Sequence, residues 1–355
     1  MSPGFHKISF LTMIRQGSYG SKAELPIFMK NKDKISKLVP LAKDKLLLII
    51  LIISFIQTGL FSTKAMAEVN ATFLYTLSDF NGPLPYNWVS ISVDRERNEI
   101  YVVDPKERDV TVFNEAGMEI YRFGDDGSLG SVQDAVVEKD GRILVLSRRV
   151  SGNSITLCNF RGEPLGELEL KKFPSDFAPF SPNRLVCRQG LLYLLDADTM
   201  KIAVTDVNGV FQRGYSVSPL IDVPQDKLEQ TDMEGFSVDP RGNMLFTIPV
   251  LFSAFRLSPD GEIASFGRAG GGPGRFNVVG GIVADGRGYY YVADRLKSAV
   301  LIFDKDFQFQ GEFGYRGSRP DNLIGPRNLA LDEEGRLYVS QLRSRGVSVF
   351  KITYK

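Results

Sequence analysis

The chain has 355 residues, a formal net charge of +1, two cysteines and one tryptophan. Its 34 glycines, 25 phenylalanines and 13 tyrosines suit many short strands joined by tight turns and argue against a helical protein. The only histidine is His6, so the remainder lacks a Ser-His-Asp or Cys-His set, the usual base for acid–base work and the usual zinc or copper ligand.

Charge is unevenly spread. Residues 1–67 hold ten Lys/Arg and three acids; taking these from the chain totals of 43 and 42 leaves 68–355 with a net charge of −6. That mildly acidic body argues against nucleic acid, whose binders present basic faces to phosphate. A Lys-rich stretch, 30–45, precedes the apolar run LLLIILIISFI at 46–56, and polar residues follow down to Ala65-Met66-Ala67. A positive flank, a short apolar core and an A-x-A site predict a secretory signal peptide with a long basic n-region, cleaved after Ala67, and a periplasmic or extracellular product. The alternative is an uncleaved anchor at 46–61, about 16 apolar residues against the ~20 of a full span. Met29, opening MKNKDKISKL, is an alternative start to Met1.

From residue 68 onward one skeleton repeats: an apolar strand, a turn, a second strand such as YYYVAD, a polar turn, and a third strand such as VLIFD. Its copies begin with SISVDRERNEIYVVD at 90–104, AVVEKDGRILVLS at 135–147 and RLVCRQGLLYLLD at 184–196. FSVDPRGNMLFTI at 236–248, IVADGRGYYYVAD at 282–294 and LALDEEGRLYVSQ at 329–341 complete six. The turn glycines Gly141, Gly190, Gly242, Gly288 and Gly335 are spaced by 49, 52, 46 and 47 residues. Period-2 alternation bounded by Gly, Asp and Asn marks antiparallel strands, and a period of 40–50 with four strands describes a propeller blade.

The sixth copy stops after its third strand, while 72–80 (TFLYTLSDF) is an orphan resembling the fourth strands of other copies. This predicts an all-β, six-bladed propeller over 68–355, its ring closed by the N-terminal strand completing the last blade. Cys158 and Cys187 fall in different blades and are expected as buried free thiols, with a disulfide as the alternative.

The run of Gly-rich loop, Asp-x-x-Gly turn, Tyr-Val-Ala-Asp and Val-x-Val-Phe-Asp resembles the NHL-repeat family. The match is best at 267–304, 314–350 and 88–124, looser in blades two and three, and in blade four TIPV replaces YVAD. The resemblance covers 72–355 and implies a six-bladed propeller, a fold that hosts enzymes, receptors and scaffolds alike. Lyases of this fold generally rely on histidines or a bound metal, which weighs against that chemistry here. Cytoplasmic NHL relatives bind RNA, but an exported, acidic body argues against it.

Ligands of a propeller meet the starts of its innermost strands around a central channel. Aligning the copies places Trp88, Gln133, Asp134, Asn183, Arg184, Glu234, Arg327 and Asn328 there. Asp134 and Glu234, with Asn183 and Asn328, would be the oxygen donors for calcium, whereas Arg184 and Arg327 would repel a cation. Trp88 would either anchor a ligand or pack against the adjoining loop. Asp104, Asp196 and Asp294 are read as turn caps, and the Gly-rich 267–274 as a connector between blades. The longest departure from the repeat, 215–233, is a second candidate binding element, with a short helix expected at 224–230.

The leading expectation is a monomeric, non-catalytic binding or scaffold propeller with a protein or peptide partner and no cofactor. Membrane contact would come only through the N-terminal segment. The alternative is a calcium-dependent hydrolase or lyase of the six-bladed class; RNA binding ranks third.

Overall fold

The computed structural model describes residues 69–221, 223 and 231–355. The expected signal peptide or anchor and the helix expected at 224–230 lie outside the described residues. Among the described residues no helix is long and apolar enough to cross a membrane.

Among the described residues, six four-stranded antiparallel sheets form six blades, joined by loops that include three short 3-10 turns. Blade one comprises Ser90–Asp94, Glu99–Asp104, Asp109–Phe113 and Glu119–Phe123. Blade two comprises Ser131–Val137, Ile143–Arg149, Gly152–Cys158 and Pro164–Glu167, and blade three Arg184–Arg188, Leu191–Asp196, Lys201–Asp206 and Phe211–Ser216. Glu234–Val238, Met244–Ile248, Ser253–Leu257 and Ile263–Phe266 make blade four; Val279–Ala284, Tyr290–Asp294, Ala299–Phe303 and Phe309–Gly314 make blade five.

Blade six takes Leu329–Leu331, Arg336–Ser340 and Val347–Tyr354 from the C-terminal end and Val69–Thr76 from the start of the described chain. That last strand runs antiparallel to Val347–Tyr354, pairing Val69 with Tyr354 and Thr76 with Ser348. It ends earlier than 72–80 suggests, because Ser78–Asp79 and Gly82–Pro83 turn away as a separate two-stranded hairpin.

Strand position explains the sequence patterns. Middle strands are covered on both faces by neighbouring blades and read as unbroken apolar runs, such as Ala299–Phe303, buried at every residue. Outer strands meet solvent on one face and alternate, as in Phe211–Ser216. The core is accordingly divided into six clusters, one in each gap between adjacent blades. Tyr338, Val349 and Ala330 of blade six meet Ile100, Val102 and Phe113 of blade one in the cluster that completes the ring. Packing of this kind carries about 1.5–3 kcal/mol per fully buried large side chain.

The turn aspartates cap backbone. Buried Asp294 accepts the amides of Asn277, Val278, Leu296 and Lys297; Asp104 accepts that of Lys106, and Asp196 those of Ser181 and Thr199. Cys158 and Cys187 are both free thiols, in different clusters between blades.

Candidate functional site

The innermost strand of each blade has one edge with no strand beside it, and the six edges surround a central cavity of about 120 Å³. Side chains and backbone near the starts of these strands tie one blade to the next. Ser92 Oγ donates to the Ala135 carbonyl at 2.6 Å, and the Leu185 amide donates to Asp134 Oδ2 at 3.1 Å. Ser237 Oγ donates to the Ile282 carbonyl at 2.6 Å, the Gly281 amide donates to the Arg327 carbonyl, and Asn328 Nδ2 donates to the Val89 carbonyl at 2.8 Å. An edge amide or carbonyl without a partner would cost ~1–3 kcal/mol, so these contacts hold the ring at its narrowest radius.

Of the expected oxygen donors, Asp134 is thus engaged by the ring through its oxygens, and Asn328 only through its nitrogen. Asp134 is buried and also accepts Ser90 Oγ at 2.8 Å and its neighbour's amide, Ala135 N–H, at 3.1 Å. Burial pushes its carboxyl above the usual carboxylate range, against the pull of Arg184 and of those hydrogen bonds. Asn328 uses its amide nitrogen on blade one. Asn183 serves its own blade, accepting the Ala197 amide at 3.3 Å, and its carbonyl receives Arg184 Nη1 at 2.8 Å.

Gln133 occupies a β-bulge, the register shifting between Val132 and Asp134. Its Oε1 is shut off from solvent and has no hydrogen-bond partner. Glu234 also sits at a bulge, next to Gly235 at φ +52°, where a Cβ would run into the Gly280 carbonyl. Bulges re-aim side chains at strand ends, and here they set both residues at the upper mouth, where the innermost strands begin.

Trp88, Glu234 and Arg327 meet in one cluster. Arg327 Nε and Nη2 hold Glu234 Oε1 at 2.8 and 2.7 Å, and Arg295 Nη2 holds Oε2 at 3.1 Å. Both guanidiniums lie over the Trp88 ring, at 4.9 Å for Arg327 and 5.8 Å for Arg295, within cation–π range. The indole Nε1 donates to the Gly325 carbonyl at 2.8 Å, and the backbone is left-handed at φ 50°. Trp88 thus makes the loop contact through its indole N–H, and its ring is covered by two guanidiniums.

Arg295 is absent from the sequence-derived set. It follows Asp294 in the turn between the second and third strands of blade five. Strand direction brings that class of turn to the same mouth as the starts of the innermost strands. A survey of strand starts alone passes over it; counting strand reversals within a blade would find it.

Chemically, the mouth places Arg295 and Arg327 around Glu234, whose two oxygens they hold, while Arg184 acts on buried Asp134. Each guanidinium carries five N–H donors, so several remain for an incoming acceptor. For a calcium ion the fit is poor at Glu234, and Gln133 offers a single unpartnered amide oxygen that is shut off from solvent. Among the described residues no group of three or more His, Cys, Asp or Glu is arranged to hold a metal.

No family model matches the chain, and no curated protein matches it. Solved structures do match. A streptogramin B lyase superposes with a TM-score of 0.54 at 11% identity, over 81% of this chain and 98% of the other. A gluconolactonase from Xanthomonas campestris gives 0.51 at 13%, over 82% and 93%. Regucalcin, a calcium-binding protein from Agrobacterium tumefaciens, gives 0.52 at 16%, over 78% and 95%. Likeness at this identity establishes the shared six-bladed fold.

Proposed function

We propose that the upper mouth binds a small ligand bearing a carboxylate or a comparable anionic group, and that the protein does so after export. The observation that carries the reading is the convergence of Arg295 and Arg327 on Trp88 and Glu234, whose carboxylate they already neutralise. Arginine forks match carboxylate geometry, and a mouth with low-dielectric walls strengthens the attraction. The Lys-rich segment and the 46–56 apolar run support export. A small ligand also accords with propellers of this fold being named as a lyase, a gluconolactonase and a calcium-binding protein, and these support a protein scaffold less well.

Trp88 is the only tryptophan, so its fluorescence reports on this mouth alone. Titration with succinate and with gluconate at low ionic strength should give a saturating change in emission, weakened about tenfold or more in Arg327→Ala. A flat response to both acids in the wild-type protein overturns the reading.

A second reading, a calcium-dependent hydrolase or lyase, is favoured by the uncommitted Gln133 Oε1 and by the same neighbours. Calcium takes neutral amide oxygens readily. Calorimetric titration with Ca²⁺ should then show one site that Gln133→Leu removes; absence of heat, with no calcium found by elemental analysis, rejects it.

A further inference from the structure

The opposite end of the channel holds a second set of cations that the upper mouth does not use. Arg188 ends the innermost strand of blade three, and Arg95 directly follows that of blade one. Both line the central cavity, and both line the cleft of about 660 Å³ beyond it, where Arg287 of blade five joins them. The two ends of the channel are separated by seven residues from Trp88 to Arg95, roughly 20 Å at strand rise.

The Arg188 side chain makes no hydrogen bond or ion pair among the described residues, and its Nε is sealed from solvent without a partner. Arg95 has one ionic contact, with Glu333 at 3.9 Å, and that carboxylate is 74% exposed. Such a pair holds little in water. The cleft is also lined by Asp285, Asp332, Glu333 and Glu334, and several acids at this end are engaged by other groups. Asp239 accepts the amides of Arg241 and Asn243 and the side chain of Asn243. Asp332 is held by Arg336 and Tyr338, whereas Glu138 has an ion-pair contact with Arg142 at 2.7 Å but no hydrogen bond to either oxygen.

Guanidinium groups withdrawn from water are ordinarily paired, because withdrawal is costly; Arg188 is half-buried, and the Arg95 side chain is 32% exposed. Here burial, followed by the Arg95 charge, lowers the pKa of Arg188 to about 10, against the pull of Asp239 and Glu333. Arg95 is lowered by burial as well. The two guanidiniums line one small cavity, and the acids that act on Arg188 are Asp239 and the exposed Glu333, neither of which pairs with it.

We propose that Arg95 and Arg188 bind a small oxyanion of the phosphate type at the lower end of the channel. The cavity holds about four waters at ~30 Å³ each, which accommodates a phosphate head. Any organic remainder extends into the cleft beside Arg287. Free phosphate and a phosphate ester share this head, and the cleft decides between them.

The test uses the full chain in phosphate-free, low-salt buffer, titrated calorimetrically and melted thermally with inorganic phosphate and, separately, glycerol 3-phosphate. Binding should raise the Tm by roughly 5–10 °C at a hundredfold excess over Kd. Arg188→Met should abolish the response while leaving the Tm without phosphate at or above that of wild type, since it removes a charge that has no partner. Arg188→Lys keeps the charge but loses the fork, and should bind at least about tenfold more weakly. An ester that binds tenfold tighter than phosphate assigns the cleft to its organic part; equal affinity assigns free phosphate. No response in wild type, or an Arg188→Met protein that still responds, overturns the proposal. So does an Arg188→Met protein that folds but melts well below wild type without phosphate, which would make Arg188 a structural residue.

Discussion

Asn328 Nδ2 donates to the carbonyl of Val89 at 2.8 Å, so blade six is tied to blade one by a side chain near the channel. The same pair of blades shares an apolar cluster further out, and the ring is completed there by Val69–Thr76 pairing with Val347–Tyr354. Closure therefore has a polar inner contact, an apolar middle and a strand-paired rim.

Asn328→Ala removes the inner contact and leaves the Val89 carbonyl without its donor. A loss of about 1–2 kcal/mol is expected. For a domain of this size it should appear as a Tm lower by roughly 2–8 °C. An unchanged melting curve would show that the contact adds nothing to closure.

Glu234→Ala strips the counter-charge from Arg295 and Arg327, whose side chains are 22% and 29% exposed. Breaking a fully buried pair costs ~3–5 kcal/mol, but partial exposure reduces this to about 1–2 kcal/mol. Two released guanidiniums should also bind a carboxylate probe several-fold tighter, with a steeper dependence on salt. Urea unfolding checks the first outcome and Trp88 emission the second. Weaker succinate binding in this variant would contradict a cationic mouth.

Asp134 gives a dependence on pH. Its carboxyl is pushed above the unfolded value of 3.8 chiefly by burial. A raised folded pKa means that the fold favours the protonated acid. Its contribution is fully present below pH 3.8 and is lost as pH rises through the folded value. Relative to Asp134→Asn, the wild-type protein should gain stability as pH falls through that window, and the difference should be flat above it. Urea unfolding of both proteins between pH 7 and pH 4 tests this, and a difference that shrinks on acidification contradicts it.

The two thiols should resist modification. Burial pushes Cys158 up to about 11; burial, followed by the Glu138 charge, pushes Cys187 up to about 12. Thiolate is the reactive form, so little is present at pH 8. A thiol reagent should label neither cysteine in the native protein and both after denaturation, as read by mass spectrometry. Rapid native labelling of Cys187 would mean that the channel wall opens.

The repeat was legible in the chain because blade strands are local: Asp-x-x-Gly turns and period-2 alternation are set by nearest neighbours, and six copies with an orphan strand imply closure. The cationic mouth was only half legible. Trp88, Glu234 and Arg327 follow from aligning strand starts, but Arg295 enters from a different turn, and its partnership with Glu234 spans 61 residues. Gly281 shows the same limit: in sequence it is one more glycine, whereas in the fold a Cβ there would lie 2.6 Å from the Arg327 carbonyl of the next blade.

The sequence by itself determined the all-β repeat, the number of blades and the way the ring ends, since each rests on short-range hydrogen bonding and apolar periodicity. Tertiary structure alone decided which polar groups are left over. Asp134 and Asn328 are consumed by contacts between blades, Glu234 by two arginines, and Arg188 by none, because charge balance is settled between residues that only the closed ring brings within a few ångströms.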